Sequence, residues 1–170
     1  MLEDGGTGPV GPAWQVAHTR PRCEKQVAAF CVARAVEHYL PLRREIKIYQ
    51  RRKVTVYKPL FPGYVFARLD REQRVVLLRV GHVVRVMPVS DEARLVFELD
   101  QVRRALEVDP DLVSCQAVRQ GTWVRITTGP FQGLEGVVER IRGGMRVVLN
   151  VEFICRGVPV EVGLDMVEKV

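Results

Sequence analysis

The residues best equipped for chemistry in this chain are cations and aromatics. Arg51-Arg52-Lys53 sits inside Arg43 to Lys58, the densest basic stretch of the sequence. Guanidinium groups pair bidentately with phosphate or guanine and stack on splayed bases, so this segment suits a polyanion. Directly downstream runs KPLFPGYVFARLD, residues 58–70. Pro59 and Pro62 restrict the backbone on either side of Phe61, which reduces the entropy lost when such a ring docks on a partner. Tyr64 and Phe66, two apart on a strand, share one face while Val65 takes the other. That face can fill a core or grip a partner, and the pattern alone leaves both readings open.

Catalytic constellations do not stand out. Cys23, Cys31, Cys115 and Cys155 are scattered, with no C-x-x-C pair and no His at ligand spacing, so reduced thiols are expected and no metal. His18, His38 and His82 lie far apart. The sequence has no G-x-S-x-G elbow and no phosphate loop. GPFQGLEG carries three glycines but no Lys-Ser/Thr, and it leads into a strand, which points to turns instead. Neither an enzyme nor a cofactor is expected.

Charge sharpens the picture. Residues 1–107 hold 19 Lys/Arg against 12 Asp/Glu, whereas residues 119–170 hold 7 against 6. The positive field of this +6 chain therefore belongs to its N-terminal part and implies an anionic partner or a solvated basic face. A composition of 47% hydrophobic and 27% charged residues is that of a globular protein. No apolar run reaches the roughly 20 residues of a membrane helix. The start, MLEDGGTGPVGPA, is acidic and Gly/Pro-rich, unlike a signal peptide, so residues 1–12 read as a flexible leader and the chain as cytoplasmic.

The elements that would position these groups follow from periodicity. AWQVAHT reads as a strand, and EKQVAAFCVARAVEHYL as a helix running to about His38 and broadly buried against a sheet. Period-two alternation on both sides of the basic turn QRRK predicts strand, hairpin or loop, strand. GYVFARL makes a further strand. Asp70 and Gln73 form a capping pair for a helix through VVLLR that Gly81 ends, and HVVRVMPV is a strand. Leu95, Leu99, Val102 and Leu106 form one apolar stripe on a helix that Pro110 terminates. This gives an α+β sandwich over 13–107 and a linker over 108–118. Residues 119–170 contain only short strands and Gly-rich turns, which suits a small closed β-barrel without exposed edges.

Three segments together resemble the NusG family of transcription elongation factors: W-x-V-x-H-T at Trp14 to Thr19 with Glu24-Lys25, PLFPGYVF at 59–66, and VRITTGPFQGLEGVV at 124–138. The resemblance covers roughly 13–170. It implies a NusG-type N-terminal sandwich of antiparallel sheet and helices, followed by an SH3-like barrel carrying a KOW motif. PLFPGYVF, the HT-R-P start and the helix SDEARLVFELDQVRRALE are similar to the operon-specialised antiterminators of the RfaH and UpxY kind.

The resemblance also implies partners. The N-terminal domain would dock on the clamp helices of the RNA polymerase largest subunit through Phe61, Tyr64 and Phe66. His18 stands where relatives often carry Tyr and offers less apolar area; Trp14 reads as core. Relatives touch the polymerase gate loop through His-Thr-Thr, but the matching positions here are Arg74-Val75-Val76-Leu77, so that motif is missing. Arg20, Arg22, Arg51, Arg52 and Lys53 match the region that reads non-template DNA or nascent RNA. Phe131, at the tip of GPFQG, matches the aromatic that recruits a small-subunit ribosomal protein or the termination factor Rho. The strand alternation argues for a permanent barrel over the helical hairpin some relatives adopt. The implied protein is a monomeric factor that suppresses pausing or termination on particular operons. The alternative is a ribosome-associated or RNA-binding KOW protein.

Overall fold

A computed structural model describes residues 11–170. The leader expected over 1–12 therefore lies outside the described residues except for Gly11 and Pro12. In chain order the elements are β1 (Ala13–Thr19), α1 (Glu24–Ala33), β2 (His38–Tyr39), β3 (Leu42–Tyr49), β4 (Arg52–Pro59), β5 (Tyr64–Leu69), α2 (Arg71–Arg79), β6 (Val83–Pro88) and α3 (Glu92–Val108). They continue as β7 (Cys115–Gln116), β8 (Trp123–Ile126), β9 (Glu135–Ile141), β10 (Gly144–Val151), β11 (Arg156–Val162) and β12 (Val167–Lys169). The described chain divides into two compact units, residues 11–40 with 62–92 and residues 41–61 with 93–170.

The first unit is an antiparallel sheet in the order β2-β5-β1-β6. One face carries Ala17, Val65, Ala67, Leu69 and Val86, packed with Val27 and Cys31 of α1 and Leu77 of α2. Strand alternation sends their neighbours to the opposite face. The α2 start is the capping box expected from sequence: Asp70 Oδ1 accepts from the Gln73 N–H at 2.7 Å, and Gln73 Oε1 accepts from the Asp70 N–H at 2.9 Å. The α1 helix ends five residues earlier than His38, and Val32 stands exposed on it, so it buries a narrower stripe than its composition suggests. Ala35 takes a left-handed φ of 53°, and Val36 N–H closes back on Cys31 C=O at 2.9 Å. His38 and Tyr39 are thereby released to pair with Ala67 and Phe66.

In the second unit, β3 and β4 form an eight-pair antiparallel hairpin. Its root is tied down where the Arg44 N–H donates to Pro110 C=O at 2.7 Å. The apolar stripe of α3 buries Leu95, Leu99, Val102 and Ala105. Its polar flank reaches the C-terminal strands. The Gln101 amide donates to Glu135 C=O and accepts from Glu135 N–H, so one side chain satisfies both backbone groups. Glu98 accepts from the Glu152 N–H at 3.2 Å, and Arg94 bridges Glu98 and Glu152. Burial raises the Glu98 carboxyl above the ordinary glutamate range, against the lowering effect of the Glu152 N–H and Arg94.

The C-terminal strands form one antiparallel sheet in the order β12-β8-β9-β10-β11-β7. Met145, Val147, Leu149 and Val151 are buried along β10, and Val124 and Ile126 along β8. Gly136 and Gly157 lie on the strands flanking β10, where a Cβ would run into the carbonyl and the side chain of Val148. The expected closed SH3-like barrel is not formed: the sheet stays open, with β12 and β7 as its edges. Closure requires those two strands to pair. They are only three and two residues long, and β7 pairs with β11 alone. The chain just beyond β7 is held instead by a side chain, since Asn150 accepts from the Val118 N–H at 3.1 Å and donates to its carbonyl at 2.8 Å. Shortness and the charges of Glu168 and Lys169 protect the edges that closure would have removed.

Candidate nucleic-acid and protein interfaces

The face of the first unit's sheet opposite its packed helices α1 and α2 carries the aromatics of the GYVF strand. Register places His18 opposite Tyr64 and Val16 opposite Phe66. The rings of His18 and Tyr64 stack, with centroids 5.4 Å apart and planes at 26°. Both are half-buried, whereas Phe66 is fully buried. Arg85 of β6 stands beside His18 across the ladder and is exposed, so the row reads aromatic, imidazole, cation. Trp14, half-buried, lies farther along β1 on the same face, opposite Arg68.

This row is held by the turn before β5. Gly63 has φ +88°, a conformation that costs glycine little. Its N–H donates to Glu24 Oε1 at 2.8 Å, and its carbonyl accepts from the Thr19 N–H at 2.9 Å. Glu24, only 6% exposed, thus fixes the entry to the aromatic strand from the first turn of α1. The helix-terminus preference for acid pointed to Glu24 but not to this bond. Phe61 belongs to the other unit and is 1% exposed, so the residue between the two prolines is a buried ring.

The basic residues fall in two places. Arg20 and Arg22 are exposed after β1; the Arg20 N–H donates to His82 C=O at 2.9 Å, and Arg22 holds a left-handed φ of 63°. Arg51, Arg52 and Lys53 lie in and just past the two-residue turn of the β3–β4 hairpin. Residues directly opposite in an antiparallel pair share a face. Arg43, Lys58, Lys47, Tyr49 and Arg52 therefore line one side of the ribbon, and Ile46, Ile48, Lys53 and Tyr57 the other.

The ribbon's charge is graded along its length. At the root, Glu45 is bridged to Lys58 at 2.7 Å and Arg43 at 3.4 Å, and the Lys58 hydrogen bond holds its carboxyl below the usual range. Arg44 is clamped bidentately by Asp111 at 2.8 and 3.1 Å. At the tip, Arg51, Arg52 and Lys53 make no ion pair among the described residues. Both central turn residues, Gln50 (φ 46°) and Arg51 (φ 64°), have positive φ, the hallmark of a type I′ turn that favours Asn and Gly. Such residues are strained by about 1–2 kcal/mol each. The missing Asn-Gly signal is why sequence left this segment as hairpin or loop.

In the C-terminal sheet, Phe131 is half-buried and lines an open groove of about 620 Å³ together with Ile141, Met145, Met166, Arg142 and Glu161. Among the missing gate-loop positions, Arg74 donates to Val86 C=O at 3.1 Å and Leu77 is core, so both serve the fold; Val75 is exposed. Cys31 is pushed up to about 11 by burial, which leaves no reactive thiolate there. Among the described residues no group of three His, Cys, Asp or Glu side chains could hold a metal ion, and no helix is long and apolar enough to cross a membrane.

The described chain thus carries a half-buried His18–Tyr64 stack, a cationic ribbon and a groove of mixed polarity in the C-terminal sheet. Residues 12–105 match the sequence profile of the family described as "Transcription termination factor nusG", more than half of the chain. The chain belongs to the NusG family of transcription factors, which regulate without catalysing a reaction, and it is not an enzyme. It is 29% identical over 181 residues to the transcription termination/antitermination protein NusG of Thermus thermophilus, across 92% of this chain and 97% of that one. To the protein of the same description from Escherichia coli K12 it is 30% identical over 137 residues, 74% and 72% of the two chains. A solved structure, "Domain interaction in Thermotoga maritima NusG", superposes with a TM-score of 0.52 at 24% identity over 96% of this chain and 99% of that one, which speaks for the fold. These likenesses carry the family and not the operon-specialised subgroup.

Proposed function

We propose that this chain binds RNA polymerase, through the clamp helices of its largest subunit, and keeps it transcribing through pauses and terminators on particular operons, as an antiterminator of the RfaH and UpxY kind. The observation that carries the reading is the partly exposed His18–Tyr64 stack on a sheet of a NusG-family unit, its entry turn pinned by Glu24 and Gly63. Rigid, partly exposed rings lose little entropy on docking and make strong interface anchors. Phe66 supports the pair from within the sheet. Phe61, 1% exposed, becomes a contact only where a rearrangement uncovers it.

In this reading Arg20, Arg22, Arg51, Arg52 and Lys53 meet non-template DNA or nascent RNA. Phe131 and its groove take a protein partner, a small-subunit ribosomal protein or Rho. Residues 13–107 serve as the polymerase-binding domain, 108–118 as linker and 119–170 as the recruiting KOW domain of a cytoplasmic monomer. The test is co-purification with core polymerase, followed by transcription through terminators on the neighbouring operon's leader. His18→Ala with Tyr64→Ala is expected to abolish both polymerase retention and read-through, with circular dichroism unchanged. Full retention of polymerase by a folded double variant overturns the reading, and ribosome association independent of polymerase favours the alternative of a ribosomal KOW protein.

A further inference from the structure

The hairpin spends its charge unevenly. Residues 42–59 carry seven Lys/Arg and a single acid, Glu45. Within the ribbon that acid neutralises the root, and Asp111 occupies Arg44, while residues 47–53 hold four cations and no carboxylate. At the same end Ile48 is 73% exposed and Tyr49 71%, the largest exposures among the ribbon's apolar and aromatic residues. Tyr49 shares its face with Arg52, directly across the ladder, and Arg51 follows in the turn. Folding gains nothing from an exposed Tyr-Gln-Arg tip whose turn residues sit in left-handed backbone. An Asn-Gly turn would close the same hairpin without strain. An observed backbone outlier of this kind licenses a functional hypothesis.

We propose that the hairpin tip is a stacking clamp for unpaired nucleic acid. Tyr49 takes a splayed base on its ring, Arg52 beside it and Arg51 in the turn hold the flanking phosphates, and Lys53 meets the strand from the ribbon's other face. The proposal rests on the nucleic-acid reading of the basic turn, and adds to it the residue that meets the base. A ribbon that reads duplex DNA presents donors and acceptors to base edges in the major groove. This tip presents an aromatic ring and an isoleucine, surfaces that a paired and stacked duplex does not receive and a splayed base does. The absence of carboxylates from 47–53 favours phosphate over a protein surface of mixed charge. The root, pinned at Pro110 and Asp111, anchors the ribbon on which the tip is presented.

The experiment is fluorescence anisotropy on the full chain with three labelled probes over a range of KCl: an unstructured DNA strand, the RNA of the same sequence, and the DNA duplex. Single strands are expected to bind at least about tenfold more tightly than duplex, and the DNA-to-RNA ratio identifies the natural strand. Tyr49→Ala is expected to weaken single-strand binding about tenfold, within the range of base–aromatic stacking, with duplex binding unaffected and Tyr49→Phe within about twofold of wild type. Arg51→Ala/Arg52→Ala/Lys53→Ala is expected to weaken every probe and to flatten the log–log salt slope by about 0.7 per lost single-strand phosphate contact. Duplex preference, or a Tyr49→Ala protein that binds single strands like wild type, overturns the stacking clamp. If the triple variant still loses affinity in that case, the basic turn remains a nucleic-acid contact. If the triple variant also keeps its affinity and slope, the underlying nucleic-acid reading fails as well.

Discussion

Two stretches adjacent in sequence use aromatic rings in opposite ways. In the GYVF strand, Phe66 is fully buried and Tyr64 is stacked on His18, with the entry turn fastened by Glu24. In the hairpin just before it, Tyr49 is 71% exposed beside guanidiniums that make no ion pair among the described residues, on a turn held in strained backbone. The first arrangement is built for rigidity, the second for access. A ring's neighbours, and not its type, decide which of the two it serves. Stability and binding should therefore separate cleanly between the two stretches.

The comparison breaks most visibly under truncation of one ring in each. Phe66→Ala removes a fully buried side chain and is expected to lower stability by about 3–5 kcal/mol, enough to leave a marginal domain largely unfolded. Tyr49→Ala removes a largely exposed one and is expected to change stability by no more than about 0.5 kcal/mol. Urea denaturation of both variants checks the pair. Similar midpoints for the two would mean that the sheet face tolerates a cavity and is not the rigid element described here.

A smaller effect is expected at the fastening point. Glu24→Ala leaves the Gly63 N–H without its carboxylate partner and should cost about 1–3 kcal/mol, the penalty of an unsatisfied part-buried donor. Glu24→Gln keeps an acceptor at the same reach and should recover most of the loss. Because the bond sets the entry to β5, Glu24→Ala should also weaken polymerase retention more than its stability loss alone explains. Retention that merely tracks the folded fraction would reduce Glu24 to a structural role.

Much of this architecture was legible because it is local. Asp70 and Gln73 announce the α2 start, and the Leu95-Leu99-Val102 stripe announces α3, through spacing alone. The end of α1 was hidden, since the residue that takes the left-handed conformation is Ala35 and not a glycine. Whether the C-terminal strands close was equally hidden. It turns on two edge strands of two and three residues and on Asn150 capturing Val118, contacts set by three-dimensional placement. At the candidate interfaces, charge density marked Arg51 to Lys53, but nothing in QRRK distinguished a type I′ turn from a loop, so Tyr49 passed unnoticed. Phe61 shows the converse limit: a proline-framed aromatic looks the same in sequence whether it is displayed or enclosed.

The finest test of the contrast lies in two residues that share a backbone conformation and differ in side chain. Gly63 and Arg51 both have positive φ, 88° and 64°. At Gly63 the space beside the backbone is adequate, since a Cβ would meet the His18 ring at 3.6 Å, ordinary van der Waals contact. The cost of Gly63→Ala is therefore conformational, and about 1 kcal/mol of destabilisation is expected. Arg51→Gly runs the other way. It relieves the left-handed strain, so it is expected to stabilise the folded chain by up to about 1 kcal/mol, with some of the gain offset by the greater freedom of glycine in the unfolded chain. It also deletes one tip cation, so nucleic-acid affinity should fall as stability rises. Thermal unfolding and anisotropy on the same preparations read both signs. A variant that is more stable and binds less would show that Arg51 holds its strained place for the ligand. A variant that is less stable would mean the arginine is a structural part of the turn, and the division between a rigid strand and an accessible tip would lose its sharpest support.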